Sequence, residues 1–176
     1  MGRSLTGRYG SEAMKAVAMI RTRYWTNAYS VMRTANGLGF DKVYLVDLAM
    51  GKPPRMNTRK IDLQKPPHDM FVLLNMEEFM EKIVPKYNIV SMELTDEAMT
   101  LSEFEWPDNP LIVLGPENGN IPDEILEAGA QVKVPMRGAA NCFNVACAAS
   151  IAIWDYLFKE RYEMLRLRHR ANKCWG

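Results

Sequence analysis

The sequence predicts an α/β domain built on a mostly parallel sheet with flanking helices. Two observations carry this. Short apolar runs alternate along the chain with amphipathic segments, which is the pattern of strand–helix units. The 176 residues, 48% hydrophobic and 24% charged, also have the composition of one ordinary globular domain that buries its own core. No internal repeat, low-complexity run or linker divides the chain, so residues 1–176 are expected to form a single domain.

The elements follow in order. Residues 16–20 (AVAMI) read as a buried strand. Residues 26–38 read as a helix, capped by Thr26 or Asn27 and stopped at Gly37 or Gly39. Residues 43–47 (VYLVD) form a second strand. A basic, Pro-rich loop over 48–69 carries Lys52, Arg55, Arg59, Lys60 and Lys65. Residues 76–84 read as a short helix with Met76, Phe79, Met80 and Ile83 as its apolar positions. Strands are expected at 88–94 and at the very apolar 111–115, with a connector over 95–109 between them. A helix over 121–129, closed by Gly129, leads to a last strand at 131–135. A long helix over 142–160 continues into a basic tail at about 160–176.

Ligands of parallel sheets sit at the carboxyl ends of the strands. The Gly/Asn-rich turns GPENGN (115–120) and PMRGAANC (135–142), each following a strand, are therefore the places to look.

Charge and motif content exclude several functions. With 22 Lys and Arg against 21 Asp and Glu, the net charge is +1, too little for general nucleic-acid binding. An RNA partner would use local patches: Arg21 and Arg23, the 52–65 loop, and Arg166, Arg168, His169, Arg170 and Lys173. No apolar run reaches the ~18 residues of a membrane span, and the first residues show no signal-peptide stretch, so a cytoplasmic protein is expected. Cys142, Cys147 and Cys174 form no C-x-x-C pair, and the two histidines, His68 and His169, lie far apart, so no metal is expected. Cys147 reads as a small buried side chain. There is no P-loop, no G-x-G-x-x-G after the first strand and no G-x-S-x-G elbow.

Three segments stand out: NAYSVMRTANGLGF, with Asn27 before Arg33; LIVLGPENGNIP, with Glu117; and VKVPMRGAANCFNVACAASIAIWDY, with Asn144. Taken singly, Asn27 is an ordinary cap, Arg33 a solvated helix arginine and 117–120 a tight turn. In this order and spacing, over residues 14–158, the set resembles the SPOUT class of RNA methyltransferases, in particular the SpoU/TrmH-like ribose 2′-O-methyltransferases.

The resemblance implies a carboxyl-terminal deep trefoil knot whose loops hold S-adenosylmethionine. By motif matching the cofactor should touch Leu94, Gly115, Val134, Met136, Cys142 and Phe143. It also implies a homodimer in which Arg33 of one subunit faces cofactor held by the other, with Ala146, Ala148, Ala149, Ile153 and Trp154 apolar enough for the interface. The implied substrate is RNA, transfer RNA ahead of ribosomal RNA.

Arg33 matches the catalytic arginine. A guanidinium is a poor base, so its expected role is to hydrogen-bond the 2′-oxygen or a phosphate and stabilise the alkoxide. Asn27 would orient Arg33 or the ribose, Glu117 would pair with Arg33, and Asn144 would hold the 115–120 turn or the substrate. Two residues depart from the family pattern: Tyr29 stands where a Gly is usual, and Cys142-Phe143-Asn144 stands for Ser-Leu-Asn. A ring at 29 would crowd the target nucleotide or stack on a base. The alternatives are a catalytically silent RNA-binding knot protein and a SPOUT enzyme that methylates a base.

Overall fold

The computed structural model describes residues 14–49 and 70–173, with side chains through residue 161. The lysines and arginines expected in the 52–65 loop, His68, Cys174 and the side chains of the basic tail lie outside the described residues.

The strands are β1 (Ala16–Ile20), β2 (Lys42–Val46), β3 (Phe71–Leu74), β4 (Asn88–Met92), β5 (Met99–Thr100), β6 (Pro110–Leu114) and β7 (Gly129–Lys133). They form one sheet in the order β3-β2-β1-β6-β4-β7-β5, and every pairing is parallel. The helices are α1 (Trp25–Gly37), α2 (Met76–Lys82), α3 (Asp123–Leu126) and α4 (Val145–Lys173).

Helices cover both faces, which is why β1 and β6 are apolar at every position and wholly buried. Alternation still decides which side chain meets which layer. Val17, Met19, Val43, Leu45, Ile112 and Leu114 point at α1 and α4, where Ala28, Val31, Ala149 and Ile153 meet them. Ala18, Ile20, Tyr44, Val46, Leu111 and Val113 point the other way, onto Phe79 of α2 and Ile125 of α3. A smaller cluster of Val90, Leu101, Phe104 and Val132 fills the β4–β7 end of the sheet.

The chain winds outward from β1 through β2 to β3, then crosses back so that β6 lies between β1 and β4. That reversal is a topological switch point, and the crevice it opens lies beyond the carboxyl ends of β1, β6 and β4.

Several expectations are corrected. β3 forms between the expected 48–69 loop and 76–84 helix, where no element was expected, and the two-residue β5 forms inside the expected connector. The expected 121–129 helix shrinks to 123–126, because Gly129 already pairs opposite Ile89 as the first residue of β7. Glycine is required there, since a Cβ would collide with the Ile89 carbonyl oxygen. α1 begins at Trp25 with Tyr24 at its cap, and no side chain caps it. Cys147 is exposed rather than buried, because α4 turns Ala146, Ala149 and Ile153 to the sheet instead. The same rotation removes Ala146, Ala149 and Ile153 from the expected interface and leaves Trp154 62% exposed.

Candidate functional site

The turn after β1 sets the geometry. Arg21 adopts the left-handed region (φ 48°), and so does Asp47 (φ 47°) after the neighbouring β2. Each costs on the order of 1 kcal/mol for a residue with a Cβ. The Arg21 amide donates to the Val46 carbonyl (2.8 Å), and its guanidinium lies 3.8 Å from the Asp47 carboxylate. This bend turns Thr22 and the Arg23 amide toward the loop after β6.

There they meet Glu117. Its Oε1 accepts from Thr22 Oγ1 at 2.9 Å and from Asn27 Nδ2 at 2.7 Å, while Oε2 accepts from the Arg23 amide at 2.9 Å. The Asn27 oxygen then accepts from Asn144 Nδ2 at 3.1 Å, and the Asn144 oxygen accepts from the Ala146 amide at 2.9 Å. Donor and acceptor inventories allow one arrangement. A carboxylate only accepts, so Asn27 must turn its nitrogen to Glu117 and its oxygen to Asn144. A backbone amide only donates, so Asn144 must turn its oxygen to Ala146. One chain of hydrogen bonds thus ties the turn after β1, the start of α1, the turn after β6 and the start of α4.

Asn27 is 9% exposed and sits inside the first turn of α1. It is not the cap that was expected, since its oxygen serves another helix. Asn144 does stand at the head of α4, as expected, with its oxygen on that helix's backbone. Burial pushes the Glu117 carboxyl up, but the bonds from Asn27, the Arg23 amide, its own backbone and Thr22 outweigh it. The group is held below the ordinary glutamate range.

Beside this network lies a cavity of about 590 Å³, inside the roughly 300–1,000 Å³ of small-ligand sites. Leu94, Gly115, Val134, Met136, Cys142 and Phe143 all line it, and so do Asn27, Glu117 and Asn144. Residues from five separate stretches of sequence are thereby brought to one hollow. Apolar side chains and the backbone of Gly115, Pro116 and Gly119 make a wall suited to a flat heterocycle. Gly115 is closely packed: a Cβ there would lie 3.1 Å from Ile121 Cγ1, so that side chain would have to give by a few tenths of an ångström. The residues present therefore fit an adenosine-bearing cofactor.

Arg33 is separate. It is exposed, does not line the cavity, and makes no ion pair or hydrogen bond among the described residues. Its expected pairing with Glu117 does not occur, because Thr22, Arg23 and Asn27 occupy that carboxylate. Arg33 lies on the solvent stripe of α1 with Thr26 and Ser30, and Thr26 edges the cavity two helical turns below it. Tyr29 does not crowd the cavity either. Its ring is half-buried against the α1–α4 core and stacks at a tilt on Trp25, centroids 5.7 Å apart.

Two residues of the site escaped the sequence reading. Thr22 is fully buried and donates to Glu117. Glu93 lines the cavity and accepts from two backbone amides. Neither belongs to a recognisable motif; the one available signal is a polar residue within two positions of the end of an apolar strand. Among the described residues, no group of three His, Cys, Asp or Glu side chains gathers as a metal set.

A model of the SpoU rRNA Methylase family matches residues 14–154. A mouse protein described as tRNA (guanosine(18)-2'-O)-methyltransferase TARBP1 is 26% identical over 82 residues, covering 46% of this chain. This chain spans only 5% of that relative's length. Among solved structures, an AdoMet-bound rRNA methyltransferase from Sinorhizobium meliloti superposes with a TM-score of 0.72 at 23% identity, over 82% of this chain and 56% of that one. A structure described as concerning 2-OH methylation of C/U34 on tRNA superposes at 0.68 and 24% identity, over 81% of this chain and 93% of that one. At these identities the two structures establish the shared α/β fold.

Proposed function

Because the chain belongs to the SpoU methylase family, we propose that it is an RNA methyltransferase that transfers a methyl group from S-adenosylmethionine to a ribose 2′-hydroxyl. The observation that carries this reading is the convergence on one cavity of all six residues matched to the cofactor, beside the clamp of Glu117, Asn27 and Asn144. The cofactor, when bound, supplies an electrophilic methyl on a sulfonium. Leu94, Val134, Met136 and Phe143 would hold its apolar ring, and Gly115 would let it approach the backbone. Glu117, Asn27 and Asn144 position the walls rather than touch the reacting atoms. Threading of the carboxyl-terminal chain into a trefoil knot belongs to the same reading.

The charge that develops on the 2′-oxygen needs a donor, and Arg33 is the candidate. Its exposure and its absence from the cavity wall favour a site completed by a second copy of the chain. The surface for that copy is an apolar stripe on α4: Cys147, Trp154 and Phe158 recur at helical spacing, with Trp154 62% and Phe158 60% exposed. A homodimer would cover this stripe and set Arg33 of one protomer over its partner's cavity. There the guanidinium fork hydrogen-bonds the 2′-oxygen or the adjacent phosphate and stabilises the alkoxide.

Transfer RNA is the first-choice substrate, in keeping with the tRNA-modifying proteins among the relatives; ribosomal RNA is the second. The cytoplasm is the proposed place of action. Incubation with methyl-labelled cofactor and separate pools of bulk transfer and ribosomal RNA tests this. Label is expected in alkali-resistant dinucleotides of the transfer RNA pool. Folded protein that labels neither pool overturns the enzyme reading, and label on a base moves the reaction to a ring nitrogen or carbon.

A further inference from the structure

We propose that Glu93 is the positioning residue that sets the width of the cofactor slot. The proposal rests on the cavity being the S-adenosylmethionine site and adds a residue to which the motifs assign no part.

β4 and β6 are neighbours in register, with Met92 opposite Leu114. The chains therefore leave the sheet side by side, as Glu93-Leu94 and as Gly115-Pro116. Leu94, 53% exposed, forms one wall of the slot, and the 115–121 turn forms the other. No ladder bond ties them beyond this point, and Glu93 replaces it. Its Oε1 accepts from the Leu94 amide at 3.1 Å, and Oε2 accepts from the Ile121 amide at 3.0 Å. The carboxylate also packs on Gly115, where an added Cβ would come 3.5 Å from Oε2.

Both bonds are charge-assisted and use both oxygens, so the side chain is a brace between two loops. Ile121 anchors the far end, because its side chain is buried against β1 and β6. Glu93 thus connects a core-anchored turn to an exposed wall residue. Neither amide has another acceptor among the described residues. Loss of the carboxylate frees the Leu94 wall while leaving the core beneath it intact.

The test uses the full chain and two variants, Glu93→Ala and Glu93→Gln. S-adenosylmethionine and S-adenosylhomocysteine are titrated by calorimetry, and amide exchange is followed in the ligand-free protein. Loss of a charge-assisted brace is expected to weaken binding of both nucleosides by about 10- to 100-fold in Glu93→Ala. Glu93→Gln, which keeps one acceptor oxygen, should fall between it and the parent. The Ile121 amide should exchange faster in both variants without ligand, and turnover at saturating cofactor should stay within about threefold. A residue that only supported the fold would instead lower kcat and raise KM together.

Folded Glu93→Ala that binds S-adenosylmethionine within twofold of the parent overturns the proposal; if that variant does not fold, the same result for Glu93→Gln does. A parent protein that fails to bind S-adenosylmethionine overturns both this proposal and the cavity's assignment, whereas normal binding by parent and variants alike overturns this proposal alone.

Discussion

The two ends of α1 are built for different purposes. At its start, Asn27 is buried and both ends of its amide are committed, one to Glu117 and one to Asn144. Less than two turns later, Arg33 stands in solvent without a partner among the described residues. A single sequence motif thus contains a locked residue and an unengaged one. The locked end shapes a cavity inside one chain. The exposed end is charged and available, as a group that meets a second molecule must be.

The sharpest way to break this contrast is Arg33→Ala. Removing a donor aimed at a developing oxyanion is expected to lower turnover by about 10²- to 10⁴-fold. Cofactor affinity and thermal midpoint should not move, since this side chain makes no hydrogen bond or ion pair among the described residues. Single-turnover methylation beside calorimetry measures both. If cofactor binding collapses as well, Arg33 belongs to the cavity, and the division of α1 is wrong.

Trp154→Glu probes the same exposed side through its neighbour helix. A charge in the centre of the α4 stripe should weaken self-association by about 30-fold or more, seen by sedimentation. Turnover should fall with the dimer, while each monomer still binds cofactor, because all six residues matched to the cofactor line a cavity within one chain. A dimer that survives unchanged would move the interface elsewhere.

Glu117→Ala attacks the locked end. It strands the donors of Thr22, Asn27 and the Arg23 amide, and should cost about 1–3 kcal/mol of stability. Cofactor affinity should drop with it, and turnover at saturation much less. That is the reverse of the Arg33 signature.

These contrasts also mark what the sequence made legible. Strands β1, β2, β4 and β6 are largely apolar runs that the fold buries, whereas β7 is mostly exposed; each of the five lies within two residues of its expected place. β3 was missed because four residues following a basic, Pro-rich stretch carry too little pattern. The phase of α4 was hidden because VACAASIAI is apolar on every side, so nothing in it marks the outward face, and Cys147 was misplaced. Asn27 shows a different limit. A cap and a buried amide look identical in sequence, and the partner that separates them lies 90 residues away. The motifs located the site; the side-chain pairings within it depended on which strand ends the fold brings together.

The Glu117 carboxyl adds a pH test of the locked end. A carboxyl held below its unfolded value adds stability that is complete above that value and is lost as pH falls through the folded one. The thermal-midpoint difference between parent and Glu117→Gln should therefore be flat at neutral pH. It should begin to shrink only below about pH 4.3, the unfolded glutamate value. A difference that instead changed between pH 6 and 8 would point to some group other than this carboxyl.

The smallest expected effect lies beside the exposed end, one residue past Arg33. Thr34 Oγ1 is 3.4 Å from Ser150 Oγ, at the seam where α1 packs on α4. The Ser150 hydroxyl already donates to the Ala146 carbonyl at 2.8 Å, so the Thr34 contact is long and dispensable. Thr34→Val keeps the shape, and should change stability by less than about 0.5 kcal/mol and leave both cofactor affinity and turnover alone. A null result here matters for the contrast. Thr34 follows Arg33 on α1 and faces α4, the helix that Asn144 heads. Should Thr34→Val alter turnover while sparing cofactor binding, the seam itself would set where Arg33 points. The exposed end of α1 would then be steered by its packing on α4, and its freedom would be only apparent.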